Sequence, residues 1–135
     1  MALRAKPRTK RGVKRIVDER SLAAAVECAR IADARRGEEI MVLDIERLIF
    51  VTDYFVIASA SNKRQIQAIA QETREHLRKA GYTDVRLEGY EGASWVLVDC
   101  GPVVAHIFRE DLRPHYDLEL LWGDAPRIDW QKQEK

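Results

Sequence analysis

Cysteine is scarce in this chain of 135 residues: only Cys28 and Cys100 are present. Two thiols cannot make a disulfide framework, and alone they cannot make a four-ligand zinc site. They read as small core or loop residues in a reducing compartment. Long apolar runs are also missing, and none approaches the roughly 20 residues that cross a bilayer. No membrane partner is therefore expected. The N-terminus has no apolar h-region, which argues against a secretory signal. Met1 to Val17 holds few apolar residues and no serine, which argues against a mitochondrial transit peptide. The expected location is the cytoplasm. There is no internal repeat and no low-complexity stretch.

What is present suits one globular domain: 46% hydrophobic and 33% charged residues in a chain long enough for its own core. The formal net charge of +1 hides an asymmetry. Met1 to Val17 carries seven of the 23 basic residues (Arg4, Lys6, Arg8, Lys10, Arg11, Lys14 and Arg15) and no acid. The rest keeps sixteen basic residues against 22 acidic ones, a net charge of −6. A basic arm on an acidic body suggests two partners, or two contacts on one large partner. Residues 1–20 are expected to form a basic extension, disordered when free, that can touch nucleic-acid phosphates. Residues 21–123 form the folded domain, and 124–135 a polar tail.

Ser21 to Arg36 predicts a first helix, with Ser21 as N-cap and Leu22, Ala25, Val26, Ala29 and Ala32 on one face. Gly37 suits its stop. Ile40–Ile45 and Asp53–Ala60 predict two strands. Lys63–Ala80 predicts a long helix, capped by Ser61 or Asn62, with Ile66, Ile69, Ala70, Thr73 and Leu77 in one stripe and Gly81 at its end. Val85–Leu87 is a short strand. Trp95–Asp99 and Val103–Phe108 read as a hairpin around Cys100-Gly101-Pro102. A last helical segment is expected within Arg109–Leu121, starting near Pro114. The order α-β-β-α-β-β-β-α gives an α/β fold: one mixed sheet of about five strands with helices packed on it.

The candidate chemistry is thin. Asp44, Asp53 and Asp99 lie at strand ends, where a nucleotidyltransferase would use such acids to hold magnesium. The turn before the long helix, Ser59-Ala60-Ser61-Asn62, has no glycine and offers no phosphate cradle. Turns favour aspartate in any case. His76, His106 and His115 are isolated in sequence; His76 reads as exposed, and His106 as a hydrogen-bonded histidine of the core or sheet face. No serine or cysteine sits in a nucleophile elbow. Alternation puts Trp95, Leu97 and Asp99 on one sheet face and Val96 and Val98 on the other, which looks like the helix-covered one. Trp95 is then either an interface anchor or the filler of a core edge. Trp122 reads as the seal of another core edge.

The ordered run Val42-Leu43-Asp44, Thr52-Asp53-Tyr54-Phe55-Val56-Ile57, Glu88-Gly89, Trp95-Val96-Leu97-Val98-Asp99, His106-Ile107-Phe108 and Tyr116-Asp117-Leu118-Glu119-x-Leu121-Trp122 resembles the ribosomal silencing factor (Iojap) family over about Ser21 to Asp124. The resemblance implies a fold similar to that of nucleotidyltransferases without their chemistry, no cofactor and no enzymatic activity. It implies binding to the large ribosomal subunit through ribosomal protein L-fourteen. That would block subunit joining and reduce translation when nutrients are scarce. Some members form homodimers. By the same resemblance the contact surface comprises Trp95, the Glu88-Gly89 turn and Asp99, with His106 and Tyr54 on matching positions that either touch the partner or support the sheet. Pro102 and Pro114 depart from the family pattern, and the basic extension lies outside it. Two other readings stay open: a magnesium-dependent enzyme using the strand-end aspartates, and an RNA-binding module led by the basic arm.

Overall fold

A computed structural model describes residues 11–45, 52–112 and 125–132. The elements are α1 (Arg11–Ala34), β1 (Glu38–Asp44), β2 (Tyr54–Ala60), α2 (Lys63–Lys79), β3 (Arg86–Glu88), β4 (Trp95–Asp99), β5 (Val103–Arg109) and β6 (Arg127–Ile128). Six strands form one open mixed sheet in the order β3-β4-β5-β2-β1-β6. β2 and β5 pair in parallel and the other neighbours are antiparallel. β3 therefore runs parallel to β2, as a crossover through α2 requires, although β5 is the strand that sits beside β2. Among the described residues no helix is long and apolar enough to cross a membrane.

Both helices cover one face of the sheet. α1 approaches closely because its buried side is built of small residues: Ala24, Ala25, Cys28, Ala29 and Ala32 are all at most 4% exposed. α2 buries the predicted stripe Ile66, Ile69, Ala70, Thr73 and Leu77. These residues meet Val42, Tyr54, Val56, Val96, Val98, Val103, Ala105 and Ile107 from the sheet. The two thiols are buried, and desolvation pushes Cys100 up to about 11 and Cys28 higher still, so both behave as inert packing groups.

The helix ends have local causes. Asn62 caps α2, its side-chain oxygen accepting from the Gln65 N–H at 2.9 Å. Gln65 turns back to accept from the Ser61 N–H at 2.9 Å and donates to the Arg35 carbonyl at 2.7 Å. It thus ties the end of α1 to the start of α2. α2 ends in a Schellman motif: Gly81 N–H reaches Arg78 O, Tyr82 N–H reaches Leu77 O, and Gly81 holds φ +108. The same motif ends α1, with Gly37 N–H on Ala32 O, but there the left-handed residue is Arg36 (φ 66) and not Gly37.

Three expectations need correction. α1 begins at Arg11, inside the stretch expected to be a disordered extension, because lysine and arginine sustain a helix and no proline interrupts it. Ser21 is accordingly an interior helix residue, 6% exposed, and not an N-cap. The sheet of about five strands has six among the described residues: Arg127 and Ile128 pair with Leu43 and Val42 in what was expected to be a polar tail. Trp130 joins them by donating its indole N–H to the Ile40 carbonyl at 3.3 Å. The expected last helical segment with Pro114, His115 and Trp122 lies outside the described residues beyond 112.

Replacing Asn62→Ala removes the side-chain cap of α2 and is expected to lower unfolding stability by about 1 kcal/mol in urea titration, with an unchanged m-value.

Candidate functional site

The face opposite the helices is built by alternation along β4, β5 and β2. β4 buries Val96 and Val98 completely under the helices and leaves Trp95, Leu97 and Asp99 half-buried on the other side. Antiparallel register sets Trp95 opposite Phe108, Leu97 opposite His106 and Asp99 opposite Val104. On the outer side, Glu88 of β3 lies opposite Leu97, and Arg86 opposite Asp99. Facing residues of an antiparallel pair share a face. Glu88, Trp95, Leu97, Asp99, His106 and Phe108 therefore belong to one face of the sheet, with Phe55 and Ile57 of β2 continuing it beside Val104 and His106; Phe55, Ile57, Val104 and Phe108 are buried there in a second core cluster with Leu43, Ile45 and Ala125, against whose edge Trp95 and Leu97 pack.

An aromatic cluster on that face has Trp95 as its half-buried member. The Trp95 ring stacks on Phe108 at 5.2 Å and 26°. Its indole N–H donates to His106 Nδ1 at 3.1 Å, across the diagonal of the β4–β5 ladder. Phe55 meets the His106 ring edge-on at 4.5 Å and 68°. Because Nδ1 accepts, the single proton of the neutral imidazole sits on Nε2. Nε2 is buried and has no partner. Burial in this apolar setting pulls His106 down to about 3, so the ring is uncharged at neutral pH.

Gly89 positions the next element. It holds φ +79, and a Cβ there would collide with the Trp95 carbonyl oxygen. Only glycine lets the β3–β4 loop pass this close to β4. The loop is clamped to α2 as well: Gln67 donates to the Tyr90 carbonyl at 2.8 Å and Gln71 to the Tyr90 hydroxyl at 3.3 Å. Asp99 also has a local task, its Oδ1 accepting from the Gly101 N–H at 2.8 Å and so fixing the β4–β5 turn. Glu88 is exposed; Arg86 on the same face pairs weakly with Asp84 at 3.5 Å, both side chains well exposed.

The residues singled out by resemblance thus separate. Trp95, Glu88, Asp99 and His106 come together, and Gly89 supports them through the backbone. Tyr54 does not join them: it is 4% exposed in the core beneath the helices, because its position in β2 has the opposite parity from Phe55. It supports the sheet. His106 is the hydrogen-bonded sheet histidine that its sequence setting suggested. Phe108 and Phe55 went unnoticed as site residues, although the alternation His106, Phe108 along β5 carries the signal. Asp44, Asp53 and Asp99 lie at one end of the sheet on or beside three different strands, and the described residues contain no cluster of three or more His, Cys, Asp or Glu able to hold a metal ion.

The family model described as "Ribosomal silencing factor during starvation" matches residues 18–135. The ribosomal silencing factor RsfS of Bacillus subtilis is 45% identical over 101 residues, covering 75% of this chain and 86% of its own length. A mouse protein named "Mitochondrial assembly of ribosomal large subunit protein 1" is 32% identical over 89 residues, covering 64% of this chain but 39% of that longer protein. A crystal structure of a Chromobacterium violaceum protein superimposes with a TM-score of 0.69 at 34% identity, covering 78% of this chain and 85% of the other.

His106 yields a pH signature. Its proton affinity is depressed in the folded state, so the unfolded chain binds the proton more readily. Stability is then complete above the ordinary histidine range and falls as pH drops from about 6.5 toward 3, with a slope approaching about 1.4 kcal/mol per pH unit. Urea unfolding of the native chain and of His106→Asn between pH 6 and 5, above most carboxylate titration, should show the slope only in the native chain.

Proposed function

The chain belongs to the ribosomal silencing factor family, and from that premise we propose that it docks on the large ribosomal subunit and silences it by occlusion. The face bearing Trp95 meets a basic protein of the large subunit, ribosomal protein L-fourteen, on the side where the small subunit would join. A folded body held there excludes the other subunit by its volume and lowers translation when nutrients are scarce. The protein works in the cytoplasm, without a cofactor and without turnover.

The observation that carries this reading is the half-buried indole on the face opposite the helices, held by a stack and a hydrogen bond. A preorganised aromatic loses little freedom on docking and can bury a large apolar area. Glu88 at its side faces outward and suits a lysine or arginine of the partner. With Arg86 nearby the local charge is modest, so these charges steer encounter more than they add affinity. Support also comes from the names of the relatives, a silencing factor in one case and a large-subunit assembly protein in the other. The seven cations of Met1 to Val17 add contacts to ribosomal RNA phosphates. That arm lies wholly ahead of residues 18–135, which the family model matches.

Replacing Trp95→Ala is expected to weaken co-sedimentation with large subunits by roughly 30-fold, the worth of about 2 kcal/mol at a hot spot. Undiminished binding by the folded variant contradicts the anchor. Deleting Met1 to Val17 should make the fall of affinity with salt shallower; an unchanged salt dependence removes the arm from the interface.

A further inference from the structure

Resting on the docking role of Trp95, we propose that His106 is a positioning residue whose Nδ1 atom holds the Trp95 indole in the orientation that meets the partner. Two contacts among the described residues bear on that orientation. Phe108 lies under the indole at 5.2 Å, a stack that sets its plane and by itself permits a turn within that plane. The hydrogen bond from the indole N–H to His106 Nδ1 at 3.1 Å stops the turn. His106 is itself immobilised, being 5% exposed and wedged against the edge of Phe55 at 4.5 Å.

Histidine is a costly residue for this position. Its Nε2 carries the ring proton and is buried without a partner. An unpaired buried donor destabilises the fold. Phenylalanine or leucine would fill the same space among Phe55, Leu97 and Phe108 with no orphaned atom. What histidine adds over an apolar residue is the Nδ1 acceptor, and that acceptor is engaged by the indole. The indole has one polar atom, which can only donate. It therefore takes its direction from wherever an acceptor is placed. The acceptor sits on β5, two positions from the residue opposite Trp95, so the sheet register transmits its position to the indole.

The test uses the full chain with three substitutions. His106→Asn keeps an acceptor oxygen near the Nδ1 position. His106→Phe keeps a ring and removes the acceptor, and His106→Gln moves the acceptor away and serves if the phenylalanine variant does not fold. Hydrogen exchange of the Trp95 indole N–H, assigned by its loss in Trp95→Phe, reads the positioning directly in the free protein. Sedimentation with large subunits reads its consequence. His106→Phe should exchange about fivefold faster and bind about fivefold more weakly, the worth of one neutral hydrogen bond, while His106→Asn stays near the native chain in both. Unchanged indole exchange in His106→Phe overturns the proposal. So does faster exchange with undiminished binding while Trp95→Ala still weakens binding, and that result leaves the docking reading intact. If Trp95→Ala binds as the native chain does, the docking reading itself has failed and the positioning role falls with it.

Discussion

The antiparallel register of the β4–β5 hairpin decides what the molecule can present. Trp95 lies opposite Phe108 and Leu97 opposite His106. A slip of one residue would turn Trp95, Leu97 and Asp99 under the helices and bring Val96 and Val98 outward. The register is held at its turn by Asp99, which accepts from Gly101 N–H, and by the Cys100 N–H to Val103 carbonyl bond at 3.1 Å. It continues into β2 because Pro102, which has no N–H to give, offers its carbonyl to the N–H groups of Asp53 and Tyr54. A strand-end aspartate that invites a catalytic reading is thus engaged in keeping the Trp95 face in phase.

Much of this was legible in the sequence, and for definite reasons. The stripe of α2 repeats at helical spacing and its ends carry Asn62 and Gly81, so both bounds and buried face could be read off. The β4 alternation is strict, so the Trp95 face could be assigned before any coordinates. β6 was not legible: two residues with no alternation became a strand only because the edge of β1 was there to pair with. The early start of α1 was hidden by charge, since a run of lysine and arginine reads equally as a solvated arm and as a helix. The polar ties Gln65–Arg35 and Gln67–Tyr90 are long-range and leave no local trace. The Trp95–His106 bond was likewise invisible, because it depends on a diagonal contact between two strands and not on either strand alone.

Resemblance brought forward Glu88, Gly89, Trp95, Asp99, His106 and Tyr54 together. Geometry sorts them by what each can do: Glu88 and Trp95 present side chains, His106 aims the indole, Gly89 and Asp99 shape backbone, and Tyr54 packs beneath the helices. The same sorting separates acids from aromatics in this fold. Its strand-end acids are spread over separate strands, while its aromatic cluster is gathered on one face.

The central claim is about which face meets the ribosome, and site-directed photo-crosslinking tests it most directly. A photo-crosslinking amino acid in place of Glu88 stands on the Trp95 face; the same group in place of Glu75 stands on the exposed side of α2. With purified large subunits, the probe at position 88 should link to a subunit protein and the probe at position 75 should not. Crosslinks from position 75 with none from position 88 would place the ribosome on the helical side and contradict the account.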